Sequence, residues 1–113
     1  MKTILIPVFN ERISSRLDCT EYFLLIKIDN NKIKSKETIK MVAKNQLEKL
    51  NVILSMKPDT VICNGLTEFF ENGFLKNNIE LISSVYGLVE EKLNEYLDGE
   101  LISKTFKNIT SNV

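Results

Sequence analysis

The sequence contains no histidine. That removes the commonest general base near neutral pH and the commonest metal ligand together. It holds two cysteines, Cys19 and Cys63, too far apart for a metal-finger spacing or a disulfide framework. It lacks excess charge of either sign: 15 Lys and Arg balance 15 Asp and Glu. The lysines are spread out with no basic block, so nucleic acid is not an expected partner. No apolar run approaches the roughly 20 residues of a membrane span, and the one in "MKTILIPVFN" is too short for a signal peptide. A cytoplasmic, reducing setting is the expectation. No phosphate-binding loop, paired CxxC or nucleophile elbow occurs. The residues therefore give little support to an enzyme.

What is present is the composition of one globular domain. Of 113 residues, 43% are hydrophobic and 27% charged, enough to build a core and too apolar for disorder. "TILIPV" (3–8) reads as a strand buried on both faces. Pro7 is expected at its end, because proline cannot donate to a ladder. A polar loop follows over 9–20, long enough to suggest a role. "EYFLLIKID" (21–29) is a second strand, Asn30–Asn31 a tight turn that tolerates positive φ, and "KIKSKETI" (32–39) a lysine-rich edge strand. From about Lys40 the period turns helical through Ala43, Leu47, Leu50 and Leu54, with Pro58 as a stop. "TVIC" (60–63) and "IELIS" (79–83) are core strands. Each precedes an amphipathic helix, one through Leu66, Phe69, Phe70, Gly73 and Phe74, the other through Val89, Leu93, Tyr96 and Leu97. Gly99 is placed to end the last helix in the left-handed region.

The order predicts an α/β fold with a five-stranded mixed sheet and three helices. An antiparallel three-strand meander is followed by two βα units with right-handed crossovers. One domain is expected over 1–103, and a loosely held polar tail over 104–113. The first strand should lie between the second and the fourth. Three segments should then meet at the carboxyl ends of the core strands, where ligands collect in open α/β sheets: the 9–20 loop, "CNG" (63–65) and "SSVYG" (83–87). Gly65 and Gly87 would let backbone N–H groups approach an anionic guest at the helix starts.

Cys63 has two readings. It is a small buried hydrophobe, as free cysteines commonly are, or a thiolate whose pKa falls beside a helix N-terminus. Cys19 is either a plain loop residue or a partner for Cys63 at the same sheet end. Asp18, Glu11 and Glu21 read as solvated carboxylates, because no spacing selects them as a catalytic pair.

"ILIPVFNERISSRLD", "YFLLIKID", "PDTVICNGL" and "GLVEEKLNEYLDGEL", in that order, resemble the dinitrogenase iron–molybdenum cofactor biosynthesis family over residues 2 to 102. The resemblance implies a ribonuclease-H-like fold and a binding role without catalysis. Its implied guest is an iron–sulfur or iron–molybdenum cluster, held transiently during nitrogenase cofactor assembly. Carried onto this sequence, Cys63 is the expected metal ligand and Cys19 a second. The backbone around Asn64, Gly65, Tyr86 and Gly87 would cradle the cluster, and the implied partner is a cluster-assembly or acceptor protein. Many members carry a histidine in the loop before the second strand, where this chain reads "RLDCTEYF" with Cys19 near that place. A variant of the family ends in a cysteine-bearing tail, and "FKNITSNV" has none. Those departures motivate the alternative: an interaction or regulatory module that kept the fold and lost the cofactor.

Overall fold

Strand β1 (Lys2–Phe9) alternates its apolar residues between two faces, and both faces are covered. Ile4, Ile6 and Val8 join one core cluster and Leu5 joins the other. This is why the run is continuously apolar. The structure is a computed structural model that describes residues 1–101. The tail expected over 104–113 lies outside the described residues.

After β1 come β2 (Arg12–Ile13), β3 (Tyr22–Asp29), β4 (Lys32–Lys40), α1 (Gln46–Ser55), β5 (Thr60–Ile62), α2 (Glu68–Lys76), β6 (Glu80–Ile82) and α3 (Val89–Leu97). The sheet runs β4-β3-β1-β5-β6, with β2 paired to β1 beside this path. β1 is antiparallel to β3, and β3 to β4; β5 is parallel to β1, and β6 to β5. The expected meander, two βα units and central β1 are all present. The two-residue β2 was not expected: it lies inside the segment read as a polar loop.

The β3–β4 hairpin turns on Asn30 and Asn31, with φ of 53° and 62°. Two positive-φ central residues define the turn whose twist matches paired strands. Pro7 sits within β1 opposite Phe23, not at the strand's end. A strand residue points its N–H and C=O to the same side. The Pro7 carbonyl accepts from Ser14 N–H at 2.9 Å, and β5 pairs with β1 only at Ile4 and Leu5. The missing N–H therefore faces a side where the β5 ladder has already ended.

Helices α1 and α2 cover one face through Leu50, Ile53, Phe70 and Phe74. Helix α3 covers the other through Val89 and Leu93. Lys40 still belongs to β4, and α1 begins only at Gln46, where the Asn45 side chain caps Glu48 N–H at 2.8 Å. That start rotates the wheel. Leu47 is 59% exposed, and Lys49 is buried beside Leu50 and Ile53. Phe69, expected inward on α2, is also exposed. At the end of α3, Gly99 has φ of 80°. Its N–H reaches Tyr96 O and the Glu100 N–H reaches Glu95 O, the paired bonds of a Schellman ending.

Candidate functional site

The three segments expected to meet at the carboxyl ends of β1, β5 and β6 do meet. Asn10, with φ of 57°, turns the chain after β1, so that β2 folds back on it with Val8 opposite Ile13. Ile13 N–H then donates to Gly87 O, and Val89 N–H to Glu11 O, both at 2.9 Å. On the other side Leu17 N–H donates to Gly65 O at 2.8 Å, and Gly65 N–H to Ser15 O at 2.9 Å. The turns after β5 and β6 are joined as well: Ser84 N–H reaches Asn64 O and Val85 N–H reaches Cys63 O, both at 3.0 Å.

These bonds tie the predicted cradle to the chain's own backbone, through the Gly65 N–H and the carbonyls of Cys63, Asn64, Gly65 and Gly87. Gly65 is needed for a close approach, but the approaching group is Ser15. A Cβ at Gly65 would lie 2.9 Å from Ser15 O. Its N–H, expected to face a guest, is spent on that carbonyl. Gly87 takes φ of 114° and gives its carbonyl to Ile13. Asn64 gives its carbonyl to Ser84. The Tyr86 ring stands 71% exposed, and Phe9, at the end of β1, is 68% exposed.

Cys63 is fully buried, in one cluster with Leu5, Leu17, Val61 and Phe70. Burial pushes its thiol up to about 12, with the Glu71 charge adding to the rise. Of the two readings of Cys63, this favours the small buried hydrophobe: desolvation disfavours the thiolate, and α2 begins only at Glu68. Cys19 is exposed, and both cysteines are free thiols. The Cys19 thiol donates to Asp18 at 3.6 Å. The two thiols could act together on sequence grounds, but Cys19 is exposed on the loop and Cys63 is buried in the core. Among the described residues, no group of three or more Cys, Asp or Glu side chains is arranged to hold a metal ion. The donor set therefore does not fit a cluster seated at Cys63 with the loop in place.

A polar group that the sequence did not flag lies under the same loop. The Lys49 ammonium donates to Thr20 O at 2.6 Å and sits 5.5 Å from the centre of the Phe23 ring. Burial lowers its pKa, opposed by the charges of Asp18, Cys19 and Glu21. Partial burial pulls the Asp18 carboxyl up. The Arg16 guanidinium, bound through two nitrogens at 3.1 and 2.8 Å, helps bring it below the usual carboxylate range. The available signal for Lys49 was the pairing of Asn45 with Glu48 three residues on, which marks a helix start. That start puts Lys49 on the Leu50–Ile53 face.

No protein-family model matches the chain. An uncharacterised protein of Methanocaldococcus jannaschii is 24% identical over 103 residues, covering 87% of each chain. The crystal structure of a protein named "putative dinitrogenase" from the same organism superposes with a TM-score of 0.76. It is 25% identical and covers 89% of this chain and 92% of that one. A Thermotoga protein named "putative NifB protein" superposes with a TM-score of 0.74 at 15% identity, covering 93% and 95%. This is a dinitrogenase-related small-protein fold. Its bearing here is architectural: the related chains match over nearly their whole length, so the overall fold is common to them. No helix among the described residues is long and apolar enough to cross a membrane.

Proposed function

We propose that this chain is a small, non-catalytic binding protein of the nitrogenase-accessory kind that works as a protein-interaction module, its ancestral cofactor cradle closed by its own loop. The carrying observation is Cys63, buried under the segment that Ser15 and Leu17 pin to Gly65. Ligation in place needs a thiolate. With a pKa of about 12, forming it at pH 7 costs about 5 kcal/mol more than at an ordinary thiol. Lifting the loop instead re-exposes Leu17, at about 1.5–3 kcal/mol, and breaks two backbone bonds worth about 1 kcal/mol each net.

A second reading keeps an iron–sulfur or molybdenum–iron cluster as transient cargo. It is favoured by the 25% identity to the dinitrogenase-named structure and by the exposed Cys19 thiol on the closing loop. Under it the loop lifts, Cys63 ligates, and a cluster-assembly or acceptor protein exchanges the cargo. Anaerobic reconstitution with iron and sulfide separates the two. The interaction reading expects no stoichiometric iron or sulfide and no charge-transfer absorption. Absorption that disappears in Cys63→Ala overturns it in favour of the cargo reading.

A further inference from the structure

Strand β4 ends the sheet, so among the described residues its outer edge has no partner strand. Over its nine residues it carries Lys32, Lys34, Lys36 and Lys40 against Glu37 alone, in a chain whose net charge is zero. Only Lys36 is neutralised, by Glu90 at 3.4 Å; among the described residues Lys32, Lys34 and Lys40 form no ion pair. Lysines on an edge discourage uncharged strands, because pairing desolvates the ammonium groups, and repel cationic ones. The same lysines attract a strand that brings carboxylates.

The sheet face beside this edge is also incomplete. Helix α3 packs on β1 and its neighbours, and among the described residues most of β4 stays exposed. A groove of about 450 Å³ opens there; Val8, Leu24 and Val89 are apolar lining, Lys36 and Thr38 lie along β4, and Glu11 and Glu90 also line it, so the side chains laid over the groove must be uncharged ones. Lys36 pairs with Ile26 and Thr38 with Leu24 in the β3–β4 register, so all four share this face. An added strand would lay alternate side chains over the groove while its backbone bonds to β4, the arrangement of strand-addition recognition. A second copy of this chain is a poor occupant, because pairing two β4 edges sets lysine against lysine.

We propose that β4 receives an extended, acidic segment of a partner protein as an added strand. This rests on the interaction-module reading. The probe is an acetylated and amidated peptide of nine residues, the length of β4, alternating glutamate with threonine or valine, titrated against the full chain by amide NMR. Expected are saturable shifts confined to residues 32–40 and the groove, and slowed hydrogen exchange at β4 amides. Binding should weaken about tenfold or more in Lys32→Glu/Lys34→Glu, a loss of about 1.4 kcal/mol, with the fold unchanged in the same spectra. No saturation at about 1 mM peptide, the weak limit of specific recognition, overturns the proposal. Equal binding of the lysine-for-glutamate peptide also overturns it. So does a DNA duplex that shifts the same residues while the peptide does not. A partner captured by the chain that protects another surface removes this inference and leaves the interaction reading intact.

Discussion

The protection of Cys63 can be read directly from its chemistry. At pH 8 about a quarter of an ordinary thiol, with a pKa near 8.5, is ionised. With a pKa pushed up to about 12, Cys63 is ionised in about one chain in ten thousand. A reagent that attacks thiolates should therefore modify it about a thousandfold more slowly than an ordinary exposed thiol. Modification through lifting of the 15–17 segment, at about 3–5 kcal/mol, gives a slowing of similar size. Alkylation with iodoacetamide, followed by intact mass and peptide mapping, reads the result. One equivalent should add quickly at Cys19, and the second only in denaturant. In Cys19→Ser, labelling within about tenfold of a free thiol would refute the buried assignment. Stability carries the same signature. The folded pKa lies above the unfolded one, so the contribution of the neutral thiol is complete below about pH 8.5. It is lost as pH rises towards 12, by about 2 kcal/mol at pH 10. Denaturant titrations of Cys63→Ala should lack that part of the alkaline decline.

Other substitutions test the surrounding framework. Gly65→Ala should cost about 1–3 kcal/mol and speed hydrogen exchange at residues 14–17, because its Cβ meets the Ser15 carbonyl. Gly99→Ala meets nothing within 4 Å, so its cost of about 1 kcal/mol in a denaturant titration comes from the left-handed backbone alone. Asn45→Ala should cost about 1 kcal/mol in the same assay by uncapping α1. Lys49 has a folded pKa below its ordinary value, so the unfolded chain binds its proton more tightly. Stability should gain from this group as pH rises through that lowered value towards about 10.4, and Lys49→Met should remove the gain.

What the sequence made legible is local chemistry. Asn30–Asn31 marks a turn because asparagine accepts positive φ, and Gly99 marks a helix end for a related reason. The strand order followed from the change of period after β4 and from short connections. What stayed hidden depends on contacts between distant segments. Nothing local announces that Ser15 will occupy the space beside Gly65, or that Leu17 will roof Cys63. The predicted convergence of three loops was correct, yet convergence alone does not distinguish a cradle for a guest from a knot the chain ties with itself. Leu47 has the spacing of a core helix position, but the cap at Asn45 sets the rotation that turns it outward.

The seam between β1 and β5 has a consequence for how the chain assembles. Only Ile4–Thr60 and Leu5–Val61 pair across it, and each pair joins residues distant in sequence. The meander can form through near-neighbour hairpins, whereas this seam must wait for closure of a long segment. Two ladder positions are a narrow hinge line for two halves of a sheet. The loop from Asn10 to Leu17 crosses that line and is tied to the turns after both β5 and β6. Its residues act as a clasp: they belong to the first half by sequence and fasten the second half in place once it arrives.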